Sequence, residues 1–258
     1  MSKERLIVIN SKDRQNGTNS DFTISITDSE TQQIQKILVK DCFIPNLFYN
    51  INNNNNRLVF SQNGLPNITL ILRAGQYTLS QFITELETNF NASLINGTTL
   101  AITSNPTTYK LTFTFSGGAL PVDNNVEIFK DGTTISDIIG LNNDIGPSDV
   151  LNLPNPYNLT GVSLVQIHSP QVAENHGIDS SNNRGTLINL LETVSLTETA
   201  WGSVAHRQNN DDELCEILYS TNLRALNFIR IVLRDESGVK LELPDNAYVT
   251  VIIKAYFD

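Results

Sequence analysis

A chain of 258 residues is long enough to bury a substantial core, as one large β domain or as one domain carrying an insertion. Only 17% of its residues are charged, and Asn, Thr, Ser and Ile are abundant, which suits strands joined by polar turns and argues against a helical bundle. The net charge of −10 argues against sequence-independent binding of nucleic acid, because phosphate contacts need clustered Lys and Arg.

Met1-Ser2-Lys3-Glu4 leads into a short apolar run, Leu6 to Ile9, which reads as a strand; no signal peptide is expected there. No segment approaches the length of a transmembrane span. After a polar loop, Asn10 to Ser20, the residues Phe22, Ile24 and Ile26 alternate with Thr23, Ser25 and Thr27, the pattern of a half-buried strand. Ile37, Val39 and Phe43 are expected on one side of a further strand. It should end at Ile44-Pro45-Asn46, because Pro45 cannot donate to a central ladder. Phe48-Tyr49-Asn50-Ile51 precedes five asparagines, Asn52 to Asn56. We read these as a hairpin tip, since Asn caps turns and tolerates left-handed backbone. Arg57 to Ser61 and Ile68 to Leu72 are strands around the turn Asn63-Gly64-Leu65-Pro66.

The next stretch predicts a helix over 78–90. Thr78 and Gln81 make a capping box, and Tyr77 can staple onto Phe82. Leu79, Phe82, Ile83, Leu86 and Phe90 form one apolar stripe, expected to pack on a sheet. Leu100 to Thr103 and Tyr109 to Phe115 predict a hairpin around Ser104-Asn105-Pro106, ended by Gly117-Gly118. Ile135 to Gly140 reads as a short helical turn stopped by glycine. Residues 142–157 hold several Gly and Pro breakers and little periodicity, so a linker is expected there. Strands follow at Val162 to His168, Leu187 to Leu196 and Leu214 to Tyr219, with a long polar loop, Gln171 to Thr186, after the first and Trp201 between the last two.

The last thirty residues alternate most strictly. Ile229, Ile231 and Leu233 form one set; Val239, Leu241 and Leu243 a second; Val249, Val251, Ile253, Ala255 and Phe257 a third. With turn chemistry at Asp235 to Gly238 and at Pro244-Asp245-Asn246, this predicts an antiparallel meander. The outward set, with Ile252 and Tyr256, is a candidate partner surface or second core face.

Residues able to carry chemistry are few and scattered. Glu174 and His176 share a loop, but a lone Glu-x-His lacks the further ligands of a zinc site. Cys215 with His206 and Asp211 or Asp212 has the residue types of a thiol nucleophile and base, yet Cys215 lies in an apolar strand run; His168 is the third histidine. Gly117-Gly118 lacks the Lys and Ser/Thr of a phosphate loop, and Arg73 and Arg184 read as surface charges or ion-pair partners. Cys42 and Cys215 read as two reduced thiols, and the sequons at Asn67, Asn96 and Asn158 as chance in an Asn- and Thr-rich chain. No catalytic, cofactor or metal site is expected, and no enzyme.

Three blocks carry a family resemblance: Ile44-Pro45-Asn46 followed by Phe48-Tyr49-Asn50-Ile51; Leu72-Arg73-Ala74-Gly75-Gln76-Tyr77-Thr78 opening a helix; and Leu233-Arg234-Asp235-Glu236-Ser237-Gly238 followed by Leu241 and Leu243. In this order the chain resembles the penton (vertex, minor capsid) proteins of virophages and Polinton-like viruses. The resemblance implies a mainly β fold: a single jelly-roll β-sandwich with an α+β insertion domain. It implies a homopentamer at the icosahedral fivefold vertices, beside a double-jelly-roll major capsid protein, in a virion assembled in the host cell. No nucleic-acid specificity and no transmembrane segment belong to it. The strands fall into two groups, so the expected division is 1–48 with 155–258 as the jelly roll and 49–154 as the insertion. Two rival readings stand beside it. A carbohydrate-binding or adhesin-like jelly roll would want exposed loop aromatics, for which Trp201 and Tyr157 are the candidates, and a cupin-like enzyme would need clustered His and Glu on adjacent strands.

Overall fold

A computed structural model describes residues 3–26, 34–170, 177–179, 186–209, 217–218 and 228–257. The chain divides into two compact units, Met1–Phe48 with Val162–Asp258, and Tyr49–Gly161. The first unit opens with strands β1 (Lys3–Asn10), β2 (Asn16–Gly17), β3 (Asp21–Ser25) and β4 (Ile34–Pro45). The second holds β5 (Arg57–Gln62), β6 (Ile68–Ile71), helix α1 (Leu79–Ser93), β7 (Thr99–Ser104), β8 (Leu111–Ser116), β9 (Val126–Phe129), helix α2 (Ser136–Ile139), β10 (Ile145–Ser148) and β11 (Val150–Asn152). The chain returns to the first unit through β12 (Leu164–His168), β13 (Gly177–Asp179), β14 (Thr186–Ile188), β15 (Leu190–Ser195), β16 (Val204–Gln208), β17 (Ile217–Leu218), β18 (Phe228–Arg234) and β19 (Thr250–Phe257).

Period-two alternation gives the first unit its two inward faces. One sheet has the order β1-β19-β4-β16, the other β15-β12-β18-β3 with β2 beyond, and the ladders are antiparallel. Ile9, Cys42, Val251 and Ile253 from the first sheet meet Phe22, Ile24, Val165 and Ile231 from the second in one buried core. Leaving aside the strands of two and three residues, the first, eighth, third and sixth strands along the chain make one sheet, and the fifth, fourth, seventh and second make the other. That order is a jelly roll of paired Greek keys. The fold class is therefore mainly β, a single jelly-roll sandwich with an α+β insertion between its third and fourth strands.

In the second unit, α1 forms where the capping box predicts it. Thr78 Oγ1 accepts from Gln81 N at 3.4 Å and Gln81 Oε1 accepts from Thr78 N at 3.0 Å. Tyr77 meets Phe82 edge-on at 6.4 Å. The stripe Phe82, Leu86 and Phe90 is fully buried against residues from two sheets, β10-β9-β5-β6 and β11-β8-β7.

Several expectations need correction. The C-terminal runs are no three-stranded meander: β18 pairs with β12 and β3, β19 with β1 and β4, and the middle run lies against the end of β18 through the bridge Arg234 to Lys240 and the bonds Asp235 N to Val239 O and Leu241 N to Leu233 O. Alternation determines which face is apolar; it says nothing about which strand is the neighbour. Phe43 lies opposite Ile37 and Val39, because the ladder with β19 steps from Val39 to Asp41 and leaves Lys40 as a bulge; Cys42 and Ile44 take the inward positions instead. The five asparagines are not a hairpin tip. Ile51 bridges Gly75 and Asn56 O accepts from Leu72 N, so the turn bulges out of a strand that keeps its partner. Asn52 Oδ1 and Asn55 Oδ1 accept the turn's N–H groups of Asn54 and Asn52.

The stretch 142–157 is not a linker, since β10 pairs with β9 and β11 with β8. Strands this short leave no room for a period to show. Residues 155–161 also belong to the second unit: Asn155 N donates to Gly140 O, Tyr157 N to Tyr109 O and Asn158 N to Ile138 O. Within the expected polar loop Gln171 to Thr186, Gly177–Asp179 pairs with Thr186–Ile188. Of the expected strand Leu214 to Tyr219, Ile217–Leu218 pairs with β4, and the rest lies outside the described residues.

Candidate functional site

The residues singled out for chemistry do not converge. His206, outward on β16, stacks on Phe43 with ring centroids 4.3 Å apart, and its Nε2 lies 3.0 Å from Asp41 Oδ1. His168 is buried on β12 with Nε2 3.1 Å from Gln166 Oε1. Glu174, His176, Arg184, Asp211, Asp212 and Cys215 lie outside the described residues. No group of three or more His, Cys, Asp or Glu able to hold a metal occurs among the described residues. Gly117-Gly118 sits in the turn after β8, and Arg73 pairs with Glu85 at 3.9 Å, as a surface charge would. Trp201 is exposed in the turn before β16, in the first unit; Tyr157 packs on the second unit's core, edge-on to Tyr109 at 6.1 Å.

Cys42 is fully buried in the jelly-roll core. Burial, with the carboxylates of Glu192 and Asp41 nearby, pushes its thiol well above the ordinary range, so the nucleophilic thiolate is suppressed. Native protein treated with iodoacetamide should therefore leave Cys42 unmodified, and unfolding should release it; a Cys42 peptide carrying the label from folded protein would contradict this.

Sequence reasoning missed a charge cluster on the outer face of the second sheet. Asp21 on β3 accepts from Arg230 Nε on Oδ1 at 2.9 Å and from Arg230 Nη2 on Oδ2 at 3.0 Å, while Lys240 Nζ lies 2.8 Å from the same Oδ2. Asp21 and Arg230 are far apart in sequence and are brought together by the ladder between β3 and β18, and Lys240 comes beside them through its bridge to Arg234. The Arg230 hydrogen bonds, offset in part by burial and aided by Lys240, lower the Asp21 carboxyl from 3.8 to about 2. A lowered folded-state value means stability that is complete above the ordinary carboxylate range and is lost as pH falls towards 2. The two cations are about half exposed, which weakens the pair. Asp21→Asn should thus cost only about 1–2 kcal/mol at neutral pH. The difference from wild type should shrink as pH falls through 2 in denaturant titrations, and a cost that keeps its neutral-pH size there would show that the carboxylate's charge is not its source.

The more telling surface is the outward face of the β1-β19-β4-β16 sheet. The same alternation that buries Ile9 on β1 turns Leu6 and Val8 outward, 59% and 60% exposed, on an edge strand. Beside them Ile252, Lys254 and Tyr256 project from β19; Lys254 pairs with Glu4 at 3.0 Å and lies 5.1 Å over the Tyr256 ring. At the opposite edge Val204, 57% exposed, projects from β16, with Trp201 in the turn before it. One sheet thus presents apolar side chains at both of its edges. Ile252 and Tyr256 were legible in the alternation; Leu6, Val8 and Val204 required knowing which strands are edges.

No family model matches the sequence, and no curated protein matches it. Among solved structures the chain is similar to the mavirus penton protein, with 10% identity and a TM-score of 0.47 over 99% of this chain and 100% of that one. At that level of likeness the strand order, not the comparison, carries the assignment of fold. No helix among the described residues is long and apolar enough to cross a membrane.

Proposed function

We propose that this chain is a structural capsid protein, a penton that closes the fivefold vertices of an icosahedral shell as a homopentamer. The observation that carries the reading is the jelly-roll sheet with exposed apolar side chains at both edges, Leu6 and Val8 on one and Val204 and Trp201 on the other. A cyclic ring needs two different surfaces on each copy, one facing each neighbour. Two edges of one sheet meet that requirement, and the sequence blocks that resemble virophage and Polinton-like pentons point the same way. The virion, a neighbouring major capsid protein and assembly in the host cell follow from the same reading. The jelly roll forms the ring.

Light scattering on the purified protein should give five times the 28.6 kDa of one chain. Each copy carries −10, so added salt should strengthen the ring or leave it unchanged, because screening weakens repulsion more than apolar contact. Leu6→Asp and Val204→Asp should each stop ring closure. Mixed together they should form a heterodimer and nothing larger, since each variant keeps the edge that the other has lost. Wild type that stays monomeric at micromolar concentration at both low and high ionic strength would sink the pentamer.

A further inference from the structure

Three turns of the second unit meet around one buried side chain. Gln62, at the end of β5, donates through Nε2 to Ile95 O at 3.2 Å, Thr98 Oγ1 at 3.0 Å and Asp123 O at 2.6 Å, and accepts from Ile95 N at 2.9 Å. Asp123, also buried, accepts from Asn96 Nδ2 at 3.0 Å and Leu120 N at 2.9 Å. Asn124 Oδ1 accepts from Gly118 N at 2.9 Å, and backbone bonds run from Ala119 N to Asn96 O and from Asn63 N to Asn125 O. The turns after β5, after α1 and after β8 are thereby tied into one tip.

Outward this network holds four aliphatic side chains, Leu65, Ile95, Leu120 and Val122, with Leu120 60% exposed, beside the uncharged amides of Asn63, Asn67 and Asn96. Residues 63–67, 94–98 and 117–125 contain no Lys or Arg, and their single acidic residue is the buried Asp123. Protein partners are usually anchored through Trp, Tyr or Arg, and these turns have none. An anionic surface would draw on Lys and Arg, also absent. The main obstacle to sinking a turn into an apolar phase is its unpaired backbone. Here the N–H groups of Asn63, Leu65, Ile95, Gly118, Ala119 and Leu120 are already bonded within the tip, and Pro66 and Pro121 have none.

We propose that this three-turn tip docks on a lipid bilayer, inserting its four aliphatic side chains below uncharged headgroups. The insertion needs no ring and is therefore independent of the pentamer reading. The test is flotation of the full chain with phosphatidylcholine vesicles, alone or doped with phosphatidylserine. Wild type should float with both, unaffected by salt. The Leu120→Asp/Val122→Asp double variant should lose at least about tenfold in partitioning. Its melting curve reports whether the fold is kept, and Leu65→Asp, on a different turn, gives the same readout if it is not. Failure of wild type to float, flotation that requires phosphatidylserine, or flotation of folded variants as strong as wild type would each overturn the proposal. So would Leu120-dependent self-association without flotation, which would mark the tip as a contact between copies.

Discussion

Replacing Phe90 by alanine should lower the stability of the second unit by about 3–5 kcal/mol. The ring is fully buried at the end of the α1 stripe, 4.6 Å from Phe60 and 6.0 Å from both Phe113 and Phe115. Those neighbours project from β5 and β8, in different sheets, so α1 holds two sheets to one core through this residue. Aromatic side chains fixed by their own strands collapse poorly into a cavity, which puts the cost at the upper part of the usual range. The two units have separate cores, and the sole tryptophan, Trp201, lies in the jelly roll. Tryptophan fluorescence therefore follows the first unit during denaturant unfolding, while the helical circular dichroism of α1 follows the second. The expected result is a lowered midpoint by dichroism and an unchanged one by fluorescence. Equal shifts in both would mean that the two units unfold as one.

The sequence was most legible where a single period decides the outcome. Ile229, Ile231 and Leu233, and Val249, Val251, Ile253 and Ala255, are buried as their alternation requires, and Thr78 caps α1 as its spacing to Gln81 requires. Long-range choices were hidden. Nothing local in β18 and β19 says that they enter opposite sheets, because both turn the same kind of apolar row towards one core. The single extra residue Lys40 moved Phe43 from the core to the outer face, and a bulge of that kind has no compositional mark. The edges of the sheet were equally hidden: Leu6 and Val8 look like half of an ordinary buried strand until β1 is seen to have, among the described residues, a neighbour on one side only. The polar hub at Gln62 is assembled from positions 62, 95, 98 and 123, with no spacing that a motif could capture.

The last boundary of the second unit depends on one glycine. Gly140 ends α2 with a φ of +83°, and a Cβ there would lie 2.1 Å from Asn155 O and 3.0 Å from Pro156 O. Its own carbonyl accepts from Asn155 N at 3.1 Å, so the chain at 155–156 is held directly against this turn. Gly64, in the turn between β5 and β6, provides the control: its φ is +69° and a Cβ there would meet nothing within 4 Å. Gly64→Ala should carry only the cost of a left-handed alanine, about 1–2 kcal/mol. Gly140→Ala should carry that cost and a backbone collision as well, about 1–3 kcal/mol more. The extra loss should be accompanied by faster hydrogen exchange at the amides of Asn155 and Asn158, because displacing 155–156 loosens the bonds that hold 155–161 to the unit. If the two substitutions cost the same and those amides stay protected, residues 155–161 do not need this close approach, and the end of the unit must be held by Tyr157 and Asn158 instead.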